Sequence, residues 1–172
     1  MLLWEFSTTD GEDLHRHAAS CNGEAEIFLR EGDKGALVLC EGTGSGGASK
    51  QKTASKLFDG GRFGNAGGDW LFCVGLWTPK DFREEFLAWY RIEHLPILLE
   101  CPVWDGCRFL EEKVQEGCQF YALHQLSDKR GLDSAERARS RSTPWFKRLA
   151  KNDWFDGAFS RTLYQRIAIR RY

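Results

Sequence analysis

The feature that most narrows the possible folds is a change of hydrophobic period that runs through residues 70 to 172. Residues 70 to 77 form a nearly unbroken apolar run of strand length. Thr78, Pro79 and Asp81 then supply an N-cap, a proline at the first helical position and an acid in the first turn. Phe82, Phe86, Trp89 and Tyr90 follow at spacings of three and four, so the helix they define has one strongly apolar face. Residues 103 to 112 and 118 to 126 alternate with a period of two and are joined through a five-residue polar stretch ending in Gly117, which predicts an antiparallel hairpin. Asp133 with Glu136 opens a polar helical piece, Thr143-Pro144 starts another, and residues 159 to 172 close the chain as a long alternating strand. The order is βαββαβ.

The first part of the chain has less core material. Residues 1 to 68 hold 13 of the 18 glycines and one of the seven tryptophans. Residues 2 to 7 predict a strand, residues 10 to 19 a weak helix with Asp10 as its N-cap, and residues 25 to 31 and 36 to 41 a hairpin around Gly32-Asp-Lys-Gly35. Residues 42 to 68 read as a glycine-rich linker or lid, because successive glycines provide no side chains to pack. The first half is then a truncated βαββ copy without a last strand. The predicted fold class is α+β: two unequal ferredoxin-like repeats, 1–68 and 69–172, with their sheets face to face as an α+β barrel and a ligand cavity between a sheet and its helices.

Composition limits the function classes. In 172 residues, 24 Lys plus Arg stand against 25 Asp plus Glu, so no net field attracts nucleic acid or an anionic membrane. No apolar run reaches the roughly 20 residues a bilayer requires, and Met1-Leu-Leu-Trp-Glu5 lacks the pattern of a secretory signal. The expectation is a cytoplasmic protein with neither a nucleic-acid nor a membrane partner. The six cysteines contain no C-x-x-C pair, so they read as free thiols that pack as small hydrophobes, without a metal. Gly42 to Gly47 is not followed by Gly-Lys-Ser/Thr, which argues against a phosphate loop.

The chemistry concentrates where the apolar helix meets Pro96. Proline has no amide hydrogen and its ring opposes the Ile92 carbonyl, so the helix is expected to bend or end there. Glu93 and His94 gather at that point, with Tyr90 one turn before His94 on the same face. A histidine near its reference pKa can move a proton at neutral pH, a phenol can polarise a substrate oxygen, and a carboxylate can hold the imidazole tautomer. Spacing alone is equally met by a capped helix end whose histidine satisfies carbonyls; the candidate catalytic set is His94, Tyr90 and Glu93, with Trp77, Phe86 and Trp89 lining the cavity. His124 shares a strand face with Phe120 and Ala122 and is a further candidate for that wall. His15 and His17, two residues apart on a helix, do not share a face and read as solvated. Arg137, Arg139, Arg141, Lys147 and Arg148 could hold a carboxylate, although a solvated face is the default reading.

Phe86, Trp89-Tyr90, Glu93-His94 and Pro96, followed by Pro102, Gly106, Arg108 and Thr143-Pro144-Trp145, make residues 70 to 172 resemble the EthD-like group of dimeric α+β barrel proteins. The resemblance implies a homodimer with a small hydrophobic or aromatic ligand, His94 as acid/base and Tyr90 in the cavity wall. It implies a cofactor-independent lyase, isomerase or cyclase acting on aromatic or polyketide-like molecules. A cofactor-free or haem-dependent monooxygenase and a non-catalytic binding or stress-response module are the alternatives.

Overall fold

The structure is a computed structural model that describes residues 1–7, 11–43, 50–64 and 67–171. In chain order the elements are β1 (Leu2–Phe6), α1 (Gly11–Ala19), β2 (Asn22–Arg30), β3 (Ala36–Thr43), β4 (Lys50–Gly61) and β5 (Trp70–Thr78). A continuous helical segment follows, made of α2 (Arg83–Trp89), a π turn (Tyr90–His94) and α3 (Leu95–Leu99). The chain ends with β6 (Trp104–Glu112), β7 (Cys118–Leu126), α4 (Ala135–Ser140), α5 (Pro144–Leu149) and β8 (Phe159–Arg171).

The strands close into one barrel in the order β1-β3-β2-β8-β5-β7-β6-β4, with every neighbouring pair antiparallel. Each half has the same internal arrangement, β4-β1-β3-β2 and β8-β5-β7-β6, and the halves join through β2–β8 and β4–β6. A single chain therefore completes the α+β barrel, and a second copy is not needed to cover its edges.

Three cores follow from strand alternation. Leu3, Phe28, Leu37, Ala54, Leu71, Leu110, Leu123 and Tyr164, one from each strand, fill the barrel interior. On the outside of the first sheet, Leu14 and Ala18 of α1 pack on Ile27, Val38, Cys21 and Cys40. On the outside of the second sheet, α2, α3 and α5 cover Phe72, Val74, Leu76, Phe109, Phe120 and Ala122. The pocket described below lies in this third layer, whereas in the first half Leu14 and Ala18 of α1 pack directly on the sheet.

Four expectations need correction. Over residues 42 to 68 the linker or lid is replaced, in part, by strand β4, which pairs with β1 and β6 and supplies the last strand the first half was expected to lack. Its alternation is hidden because Lys50, Lys52 and Lys56 are interspersed with small residues, and its pairing partners are distant in sequence. Residues 44–49, like the Asp10 cap, lie outside the described residues. Cys21 and Cys40 are joined as a disulfide, their Cα atoms 6.0 Å apart. A separation of 19 residues carried no sign of this; the β2–β3 hairpin brings the two together. Such bonds persist in oxidising compartments, so the cysteines do not support a cytoplasmic location; among the described residues no helix is long and apolar enough to cross a membrane. Thr78 does not cap the helix: it ends β5, fully buried, and its hydroxyl has no partner among the described residues. Finally, Pro96 does not end the helix, which continues through the π turn to Leu99.

The return from β4 to β5 is tied to the end of the barrel by two buried polar side chains. Gly61 turns the chain with φ of +67°, where a Cβ would stand 2.5 Å from the Asp105 carbonyl oxygen. Gln125 is 1% exposed and accepts from the Gly64 amide at 2.7 Å while donating to the Gly64 and Gly68 carbonyls at 2.9 and 2.8 Å. The Asp105 carboxylate accepts from the Gly68 amide at 2.9 Å. Replacing Gln125 with Ala removes the side-chain partner of the half-buried Gly64 amide and Gly68 carbonyl and leaves a cavity where Gln125 was buried, so Gln125→Ala should destabilise the protein by about 1 to 3 kcal/mol in urea unfolding. Limited proteolysis with trypsin should then cut after Arg62, beside the released Gly64, faster than in the unsubstituted protein.

Candidate functional site

The π turn sets the position of His94. The Leu95 amide donates to the Tyr90 carbonyl, five residues back, so the turn is wide enough to let Pro96 continue the helix without an amide of its own. In an α-helix residues five apart do not face each other. Here Trp89 and His94 have ring centroids 4.5 Å apart, and Tyr90 and His94 are 4.9 Å apart. The imidazole is thus held against two aromatic rings. Its Nδ1 lies 3.4 Å from the Ser140 carbonyl oxygen on α4. A carbonyl only accepts, so Nδ1 carries the proton and Nε2 presents its lone pair. Burial and the charges of Arg141 and Arg137 push its pKa down to about 4.

A β-bulge arranges the neighbouring polar group. The register between β6 and β7 shifts between Trp104 and Gly106, so Asp105 is an extra residue. This extra residue puts Trp104 on the same face as Cys107 and Phe109, toward the helices. From there its indole N–H donates to His124 Nδ1 at 3.1 Å, and His124 Nε2 lies 2.6 Å from the Tyr90 hydroxyl. Since an indole nitrogen only donates, Nδ1 of His124 is the acceptor and Nε2 carries the proton, which it donates to Tyr90 Oη. Burial holds His124 well below and Tyr90 well above their ordinary pKa values, so both are neutral at physiological pH. Trp104, His124 and Tyr90 thus form one hydrogen-bonded chain in which both His124 nitrogens are occupied.

His94, Tyr90, Trp89 and His124 line one pocket of about 200 Å³, together with Phe72, Val74, Leu76, Trp104, Phe155 and Phe159. The other sequence candidates are elsewhere. Glu93 accepts from the Thr143 hydroxyl at 2.6 Å, and Thr143 in turn caps α5 by accepting from the Phe146 amide at 3.1 Å; Glu93 ties two helical segments and does not touch His94. Phe86 and Phe120 stack on each other beneath the pocket, with ring centroids 5.9 Å apart and both fully buried. Trp77 alternates away from Phe72, Val74 and Leu76, and its indole donates to the Glu116 carbonyl at 3.3 Å.

Of the charged rim, sequence reasoning named Arg137 and Arg141 but read their face as solvated by default, and it missed Arg161. Arg137, Arg141 and Arg161 line the pocket, the first from α4, the second from the residue just after it and the third from β8. Their signal was the i, i+4 spacing of Arg137 and Arg141 on the polar helix. Arg139, between them, faces away and pairs with Glu100. Arg137 lies over the Phe72 ring at 5.5 Å and donates to the Leu132 carbonyl at 2.5 Å.

No protein-family model matches the sequence, and no curated protein matches it. Solved structures do. An anthrone oxidase-like protein superposes with a TM-score of 0.68 at 12% identity, covering 99% of this chain and 92% of its own. A ferredoxin-fold protein from Listeria monocytogenes, related to antibiotic biosynthesis monooxygenases, gives 0.65 at 14% identity and covers 97% of this chain and 94% of its own. The heme-degrading enzyme LmHde from the same organism gives 0.63 at 14% identity, with 96% and 99% covered. These likenesses extend over the whole chain, and the fold is the ferredoxin-like α+β barrel of those proteins.

Proposed function

We propose that the protein is an enzyme acting on a small aromatic molecule, with His94 as the base that removes a proton from the bound substrate. The observation that carries this reading is the imidazole itself. Its Nδ1 proton faces the Ser140 carbonyl, its Nε2 lone pair has no protein partner among the described residues, and it sits in a pocket walled by aromatic rings. Tyr90 and His124 are positioning residues, since their hydrogen bonds are already used by each other and by Trp104. Loss of a proton from carbon or from a phenol is the first step of ring closure, of isomerisation and of several decarboxylations. The aromatic pair, histidine and proline keep the EthD-like resemblance as part of this proposal.

The names of the neighbours favour a second reading, cofactor-free oxygenation. A carbanion formed at an activated ring methylene can react with dioxygen. One oxygen atom becomes the new carbonyl and the other leaves as water, so the substrate is oxidised and dioxygen reduced without a further reductant. Haem fits this pocket poorly. Ligand sites typically enclose about 300 to 1,000 Å³, whereas Phe72, Val74, Trp89 and Phe159 confine this one to about 200 Å³.

Anthrone in air is a direct first probe, read by oxygen uptake and by mass spectrometry of the product. Turnover should fall roughly 10² to 10⁴-fold in His94→Ala with the thermal midpoint little changed, and His94→Gln should not restore it. Equal turnover in His94→Ala would remove His94 from the chemistry, and unaltered recovery of every aromatic probe would favour a binding module. The base must be neutral to act, so kcat/KM should stay level as the pH falls from neutrality and drop only near about 4. A drop centred at the ordinary histidine value of 6.5 would show a solvated imidazole instead.

A further inference from the structure

We infer that the substrate is an anion: an aromatic carboxylate whose ring lies in the pocket and whose oxygens meet Arg137, Arg141 and Arg161. This rests on the proposed site and names its substrate class. The first observation is a contrast among arginines. Arg62, Arg83, Arg108, Arg148 and Arg166 each have a carboxylate within 4 Å. Among the described residues, no carboxylate comes that near to Arg137, Arg141 or Arg161, although all three line the same pocket. Asp156, the one carboxylate of the lining, and Asp133 near Arg137 both stay outside that range. Three guanidiniums left uncompensated around one opening repel one another. That repulsion, added to burial, lowers the pKa of Arg137 and Arg161.

The second observation is the hydrogen-bonding character of the wall. Trp89 is 1% exposed, lines the pocket, and has an indole N–H with no acceptor among the described residues. Asp156 and the lone pair of His94 are acceptors, but the Trp89 indole and the three guanidiniums make donors the more numerous open groups of the pocket. A ligand that satisfies them brings oxygen acceptors and negative charge, and the planar guanidinium fork matches a carboxylate in two parallel bonds. The apolar part of the wall, Phe72, Val74, Trp89 and Phe159, takes the ring.

The test compares benzoate with its neutral analogue benzyl alcohol on the whole protein, read by quenching of tryptophan fluorescence. Benzoate should bind at least about tenfold more tightly than benzyl alcohol, and added salt should narrow the gap. Arg141 and Arg161 are exposed, so R141Q/R161Q should fold normally and lose the preference while keeping the affinity for benzyl alcohol. Equal binding of the two compounds, no saturable quenching by either, or a preference that survives in R141Q/R161Q would each overturn the inference. His94→Ala should keep the preference. A charge preference with turnover indifferent to His94 would refute the proposed base alone, and turnover that depends on His94 without any charge preference would refute the anion alone.

Discussion

The backbone ladders that join the two halves, β2 with β8 and β4 with β6, are what everything else in this protein depends on. Each half is an open four-stranded sheet with two unpaired edges, and an edge strand leaves amides and carbonyls without partners. Exchanging edges between the halves removes all four edges at once and closes an interior to which every strand contributes. Closure also fixes which face of each strand looks outward. On β5, Phe72, Val74 and Leu76 must then meet the helices, and on β7 so must Phe120, Ala122 and His124.

The same closure makes the halves unequal in use. Each sheet has an outer face that needs a helical cover. In the first half the cover is one helix, and Leu14, Ala18 and the Cys21–Cys40 disulfide fill the space beneath it. In the second half the cover is the longer α2–α3 segment with α4 and α5, and its π turn leaves the pocket open. Two local irregularities shape that pocket: the π turn places His94 over Trp89, and the β-bulge at Asp105 brings Trp104 to His124. Asp105 has a second use, since its carboxylate holds the Gly68 amide at the barrel end.

Electrostatics divides the two histidines of the pocket. Both are kept neutral by burial, but His124 is closed at both nitrogens and acts as a fixed strut, whereas His94 is closed at one. Arg137 and Arg141 weaken His94 further as a base. A negative charge held between those arginines would offset their field, so a bound anion would return basicity to the imidazole at the moment when it is needed.

The sequence by itself determined the second half. Its strand and helix periods, the cap at Thr143 and the cluster around Tyr90, His94 and Pro96 are all local, and local signals survive without tertiary knowledge. It also placed Tyr90, Trp89 and His124 beside His94. What lay beyond it was set by partners distant in the chain. Strand β4 exists because β1 and β6 pair with it, not because Lys50 to Gly61 has strand character of its own. Cys21 meets Cys40 through a hairpin, and Glu93 turned from His94 to Thr143, fifty residues away. Trp104 reached His124 only through a bulge. The arginine rim came from α4 and β8, which nothing local places beside the helix of His94. A period along the chain reports which face of an element is buried; only the closed barrel decides what that face is buried against.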